Sequence, residues 1–119
     1  MQAEEVLQAV REKKPLHDAD LSGLDLSGQD LSGADLAGSN LSGCNLRGTI
    51  LRGADLSNCN LTKADLRAAD LSTGSIYAAD LSGARLRRCN LTHTNRGLAK
   101  IRKWAMKGTY IAGPTAYVD

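Results

Sequence analysis

The sequence contains no phenylalanine, and aromatic residues make up only 3% of its 119 residues. A core built on large rings is therefore excluded, and the apolar content consists mostly of Leu and Ala. No apolar stretch approaches the ~18 residues that a membrane span needs. The charged segment from Met1 to Lys14 lacks the apolar region of a secretory signal. These absences predict a soluble, cytoplasmic protein without a membrane span.

Cysteine content and net charge are also low. The three cysteines, an odd number, fit a reducing compartment better than a disulfide framework. The formal net charge is +2, but acids and bases are separated along the chain. Residues 18–45 carry five aspartates and no base, whereas residues 96–119 carry five bases and one acid. Such a gradient orients a charged partner without identifying it.

What the sequence has in abundance is a five-residue period. Leu or Ile recurs at every fifth position, sixteen times without a gap: Leu16, Leu21, Leu26, Leu31, Leu36, Leu41, Leu46, Leu51, Leu56, Leu61, Leu66, Leu71, Ile76, Leu81, Leu86 and Leu91. A mostly small residue stands two positions before, and the residue between them is usually Asp or Asn. This period fits neither the roughly 3.6 residues of a helical turn nor the alternation of a strand. It predicts a chain that turns a corner once per unit, with the Leu and the small residue pointing inward.

The pattern resembles that of the pentapeptide-repeat family. It is clearest in the triplets Ala34-Asp35-Leu36, Ala54-Asp55-Leu56, Ala64-Asp65-Leu66, Ala69-Asp70-Leu71 and Ala79-Asp80-Leu81. The resemblance implies an all-β solenoid, a right-handed quadrilateral parallel β-helix, over residues 16–95. Four units then form one coil, so the sixteen units give about four coils, stacked at the usual strand spacing of ~4.8 Å.

Both ends of such a solenoid expose core residues and unpaired backbone, and we expect short helices to cap them. Residues 1–15 contain an amphipathic pattern over 2–13 that ends before Pro15, which predicts an N-terminal capping helix. At the other end, Asn95 is suited to N-cap a helix over 96–107, with Gly108 as its stop. Residues 108–119 are left as a tail that folds back, pairs with a second copy, or is loose. We expect a monomer, or a dimer formed through an end cap or the tail.

Positions twenty apart stack in such a coil, which places Arg47, Arg67 and Arg87 in one column flanked by Arg85 and Arg88. Arginine forks bind phosphate and carboxylate groups in pairs, so these five residues are the candidate binding site. The partner predicted for them is a protein with an acidic surface. The alternative is a solvated row of arginines that splay apart or pair with nearby Asp. A basic C-terminal helix carrying Trp104 is a further candidate, for nucleic acid or a membrane surface.

The regularly spaced aspartates allow a different interpretation. Members of the pentapeptide-repeat family are known to bind DNA gyrase by presenting an acidic rod shaped like duplex DNA. In this chain the later coils are net basic and the central position lacks Phe, so the resemblance to those members is incomplete. The simpler interpretation is that Asp and Asn stabilise the corners through local backbone amides. The run from Asp20 to Leu36 is also similar to segments attached to bacterial type VI secretion components, which leaves an accessory role in such an assembly open.

Residues suited to catalysis are present but do not converge. Cys44, Cys59 and Cys89 all take the small inward position in three different columns, which predicts buried space-fillers without a metal or disulfide role. His17 and His93 lack a partner suited to catalysis, and no glycine-rich phosphate loop is present. We therefore expect no enzyme, no catalytic residue, no metal or cofactor, and no small-molecule substrate. The predicted function is a protein-interaction or structural module of a bacterial protein.

Overall fold

The protein, in a computed structural model that describes residues 1–111, forms a short rod of about 34 × 23 × 22 Å. Helix α1, Ala3–Arg11, comes first and a 3₁₀ helix, Lys103–Met106, lies near the other end. Between them, parallel β-bridges join residues twenty apart, from Asp20 with Asn40 to Asp80 with Lys100. Each side of the coil carries a single bridge, so no longer strand is formed within the described residues.

Backbone hydrogen bonds tie each coil to the next with the same register on every side. The Leu21 N–H donates to the Asn40 carbonyl at 2.8 Å, and the Asn40 N–H donates back to the Ala19 carbonyl at 2.9 Å. The Gly23 N–H adds a bond to the Ser42 carbonyl at 2.9 Å. Because most units repeat these bonds, the period of twenty residues is imposed by the backbone as well as by the side chains.

The corners are tight turns that follow each central Leu. At the first of them the Leu24 N–H donates to the Leu21 carbonyl at 3.3 Å, which closes a four-residue turn. The third residue of each turn has a positive φ, as a type II turn requires. Glycine takes this position at Gly48, where φ is 64°, but Ala68 takes it one coil later with a φ of 60°. The left-handed conformation costs a residue with a Cβ atom about 1–2 kcal/mol, so corners such as that at Ala68 are strained.

The core is a column of leucines inside the coil. Every central residue from Leu21 to Leu91 is at most 2% exposed. Most of the small inward residues are buried beside them, and most of those with a polar atom find a partner along the column. Thr49 Oγ1 donates to the Leu26 carbonyl at 2.8 Å, and the Cys44 thiol lies 2.9 Å from the Leu21 carbonyl. Buried polar groups are thus satisfied without interrupting the apolar column.

Helix α1 covers the N-terminal end of this column. Val6 is fully buried and belongs to the core cluster, while Ala3, Leu7 and Val10 pack against it partly buried. The Gln2 N–H donates to Glu5 Oε1 at 2.9 Å and so supports the first turn of the helix. The amphipathic helix predicted within residues 1–15 is therefore present, with one face on the open end of the coil.

The predicted C-terminal helix over 96–107 is wrong. Residues 96–101 instead continue the solenoid: Arg96 takes a central position at 2% exposure, and Ile101 takes the next. The Ala78 N–H donates to the Gly97 carbonyl at 2.8 Å, and a helix over 96–107 would not form this bond. The preceding coil presents unpaired backbone groups, and these stabilise another coil more than local helix propensity stabilises a helix.

The solenoid therefore runs beyond residue 95, and up to residue 111 the helical residues at this end are the four of Lys103–Met106. A bridge between Asn90 and Tyr110 shows that the chain returns to the coil after the 3₁₀ helix. The first residues of the predicted tail, 108–111, are part of this last coil, and residues 112–119 lie outside the described part of the chain.

Placing a charge inside the column is expected to unfold the protein. Leu56, in the middle coils, is 1% exposed, and burying an unpaired carboxylate there costs several kcal/mol. Leu56→Asp should therefore lose the far-ultraviolet circular dichroism of the wild type, whereas Asn58→Asp on the exposed corner should keep it. A folded, soluble Leu56→Asp protein would contradict the inward placement of the central position.

Exchanging the corner residues of one column is expected to change stability in opposite directions. Ala68→Gly removes left-handed strain of about 1–2 kcal/mol and adds about 0.4–1 kcal/mol of unfolded-state entropy, so we expect a small gain. Gly48→Ala, twenty residues earlier, has no neighbouring atom within 4 Å of the added Cβ and should lose a similar amount through φ alone. Chemical denaturation of both variants tests this, and a stabilised Gly48→Ala protein would rule the account out.

Candidate functional site

The five arginines singled out in the sequence lie together on one side of the rod. Arg47, Arg67 and Arg87, named here the basic column, follow the central Leu in successive coils and line one open groove of about 500 Å³. Arg88 lines the same groove, and Arg85 lines an adjoining one that shares Arg67 and Arg87. The five residues together are called the basic face below.

Arg67 is held by a carboxylate of its own coil. Its Nε lies 2.8 Å from Asp65 Oδ1 and its Nη2 lies 2.6 Å from Asp65 Oδ2, a two-pronged pair. The Arg67 guanidinium lowers the pKa of the Asp65 carboxyl through these bonds, and the charge of Arg47 contributes to a smaller extent. Arg67 therefore follows the alternative interpretation, pairing with a nearby Asp, and its charge is largely neutralised.

The other four arginines of the basic face differ from Arg67. Arg47 follows Asn45, whose side-chain oxygen accepts the Arg47 backbone N–H at 3.1 Å and carries no charge. Arg87 follows Arg85, so a base stands where Asp or Asn usually occurs. Within residues 1–111, no carboxylate lies within 4.0 Å of the guanidinium of Arg47, Arg85, Arg87 or Arg88. The basic face thus presents four positive charges that this part of the chain does not pair.

The aspartates and asparagines mostly serve the corners, as the simpler interpretation predicted. Asp20 Oδ1 accepts the Ser22 N–H at 3.1 Å and the Ser22 hydroxyl at 2.7 Å. These two bonds, the hydroxyl bond above all, lower the pKa of the Asp20 carboxyl, and the same arrangement recurs at Asp25 and Asp30. Asn60 makes the equivalent pair of bonds to Thr62, which shows that the corner needs an acceptor and not a charge.

A second groove, of about 720 Å³, adjoins the basic column and was not identified from the sequence. It is lined by Trp104 and Lys107 together with Arg85 and Arg87, and Trp104 is 71% exposed. The signal for it lies in the period: residue 104 stands twenty positions after Ala84, where the repeat requires a small inward residue. A Trp ring does not fit that space, so it points outward onto the basic face.

The remaining reactive side chains are separated from one another. Cys44, Cys59 and Cys89 are free and buried, and burial raises the pKa of the Cys59 and Cys89 thiols to about 12. His17 Nε2 lies 2.8 Å from Asp35 Oδ2 on the surface. In the described part of the chain, no group of His, Cys, Asp and Glu side chains is placed to hold a metal ion. None of the helices there is both long and apolar enough to cross a membrane.

Comparison with known proteins is consistent with this architecture. The profile of the family described as "Pentapeptide repeats" matches residues 16–48, 39–73 and 77–101, with eight copies. A crystal structure of a pentapeptide repeat protein, alr5209 from Nostoc PCC 7120, is 33% identical and covers 93% of this chain and 96% of its own, with a TM-score of 0.74.

HetL, a pentapeptide repeat protein of the same cyanobacterium involved in regulating heterocyst differentiation, is 31% identical with a TM-score of 0.59. The match covers 92% of this chain but only 46% of HetL. No curated protein sequence matches the chain.

The ion pair between Arg67 and Asp65 is expected to make stability depend on pH. The folded-state pKa of Asp65 is lowered from its ordinary value of 3.8, so the pair stabilises the fold above that value and is lost as the pH falls through the lower, folded-state pKa. At pH 7 the melting temperature of Arg67→Ala should fall below that of Arg47→Ala, which breaks no ion pair. The gap should close in strong acid, and a gap that persists there would contradict an ionic origin.

Proposed function

The chain belongs to the pentapeptide-repeat family, and we propose that it is a non-enzymatic module that binds an acidic surface of a partner protein through its basic face. The observation that carries this proposal is the set of four arginines without a carboxylate partner in the described part of the chain. Since the backbone of each coil is bonded to its neighbours and the column is filled, the distinctive chemistry of the rod lies on this outer face.

Charge repulsion makes the basic face costly in the unbound protein. Arg47 and Arg87, the unpaired members of the basic column, stand two coils apart, about 10 Å at ~4.8 Å per coil, and repel by roughly 0.4 kcal/mol in water, less with salt. A partner carboxylate placed between the two arginines replaces repulsion by attraction, and an arginine fork binds it through two parallel bonds. Their spacing is close to two turns of an α-helix, about 10.8 Å, so an acidic helix is a suitable partner element.

Mimicry of DNA, and with it the binding of a topoisomerase such as gyrase, is less well supported. A DNA mimic needs a continuous negative face, and every column of aspartates is interrupted by uncharged or basic residues. The column that begins with Asp25 continues with Asn45, Asp65 and Arg85. Most of the aspartates bond the corners, and four of the five arginines of the basic face lie in the later coils.

The setting that we propose is the cytoplasm of a bacterium. The three buried, free thiols need no oxidising compartment, and the two similar structures reported above are from a cyanobacterium. The finer description of the fold, a right-handed coil of square section, is taken from the family. We further propose that the rod acts as a monomer or as a dimer through one of its ends, which leaves the basic face open.

The binding proposal is tested with a charge-reversed variant that spares the ion pair of Arg67. Arg47→Glu combined with Arg87→Glu should lose the partner that wild type retains from a lysate of the source organism, as identified by mass spectrometry. Since two contact charges are reversed, affinity for the purified partner should fall by at least about tenfold.

Lys63→Glu combined with Arg102→Glu is the matched control, because it changes the net charge equally at exposed positions that line neither groove and form no ion pair within the described residues. This control should retain the partner. If wild type, the Arg47 and Arg87 variant and the control all retain the partner, the contact lies elsewhere on the rod. If none of the three proteins captures a partner, the proposal is wrong.

A further inference from the structure

The groove beside Trp104 is continuous with the basic column, since Arg67 and Arg87 line both grooves. Its floor is apolar, because Ala84 and Leu86 are buried and Ala105 is half-buried. Its edges carry the charges of Arg85, Arg87 and Lys107. One surface therefore combines an exposed ring, an apolar floor and a cationic rim.

The ring is presented by an anchored segment. Met106 and Ala105 pack partly buried against the core, and Met106 stands twenty positions after Leu86, in the line of central residues. The Lys107 N–H donates to the Trp104 carbonyl at 3.3 Å, and the Thr109 hydroxyl donates to the Met106 carbonyl at 2.7 Å. Because the buried Ile101 precedes Trp104 and these anchored residues follow it, little ordering of the backbone is needed when a ligand binds.

We propose that this groove binds one large apolar side chain, aromatic or branched aliphatic, carried within an acidic segment of a protein partner. The inference rests on the function proposed above and adds to it a second contact of different chemistry. The carboxylates of the segment pair with Arg47, Arg85 and Arg87, while its apolar side chain enters between the Trp104 ring and the floor at Leu86. Interfaces concentrate binding energy in such rings and arginines at a desolvated centre.

The chemistry of the face favours a protein segment over nucleic acid. Nonspecific binding of single strands uses a long cationic track with several rings on which successive bases stack. Here the described residues offer one exposed ring in the groove. The cationic track ends at Arg47, because one coil earlier the basic column has Ser27, and the neighbouring column has Asp25 where the next coil has Asn45. The neighbouring acids of the first coils, Asp20 and Asp30, repel a phosphate chain that continues past this point.

Three labelled peptides test the inference on the full chain: a central Phe, Leu or Ser, flanked in each case by glutamates. Their affinities are measured by fluorescence anisotropy at low salt, and the emission of Trp104, the single Trp of the chain, gives a second readout. We expect the Phe and Leu peptides to bind about tenfold more tightly than the Ser peptide. Trp104→Ala should abolish this preference and leave the affinity for the Ser peptide unchanged.

Tyr77→Ala is the matched control, because Tyr77 is an exposed ring on another side of the rod, against Gly97. It should keep the full preference. Equal binding of the three peptides to wild type, or a preference that survives in Trp104→Ala, would overturn the apolar contact and leave the basic face as a binding site. Failure of all three peptides to bind would overturn both proposals. Displacement of the peptides by oligothymidine that also quenches Trp104 would assign the groove to nucleic acid instead.

Discussion

The register of twenty residues between neighbouring coils is the constraint on which the rest of the structure depends. It is maintained by backbone bonds such as those that join Leu21, Asn40 and Ala19, and most units repeat them. Once the register holds, residues twenty apart must stack, and the side of the rod on which a side chain lies follows from its number alone. The leucine column and the basic column are two results of the same rule.

Most of the fold could be predicted because the period is visible in the residue types themselves. Leu at the centre and a small residue two positions before it determine which side chains point inward, and the structure places them there. The continuation past residue 95 was missed because Arg96 occupies a position where the pattern requires Leu. Ala99 and Ile101 keep the period, but Leu98, Ile101 and Ala105 also fit one face of a helix, and so few residues do not distinguish the alternatives.

The position of the candidate site could be predicted from the sequence, but the number of its unpaired charges could not. Stacking places Arg47, Arg67 and Arg87 together from their numbers, and the structure agrees. That Arg67 is neutralised depends on its side-chain conformation relative to Asp65, which no spacing rule specifies. Trp104 was predicted to lie on a basic C-terminal helix, and its place in the groove depends on the short 3₁₀ segment that replaces a regular side of the last coil.

The residue type at the left-handed position of the corners changes along the rod. Glycine occupies the left-handed position at seven successive corners from Gly23 to Gly53, whereas among the nine from Asn58 to Leu98 only Gly83 does so. Each of the others adds local strain to the later coils, and in a solenoid each coil is supported only by its neighbours. Fraying is therefore expected to start at the C-terminal end, and hydrogen exchange to be fastest there. Four of the five arginines of the basic face lie in these weaker coils, whereas Arg47 lies beside the glycine corner at Gly48. An acidic partner bound across the face would therefore tie the strained C-terminal coils to the more stable part of the rod and oppose their unwinding.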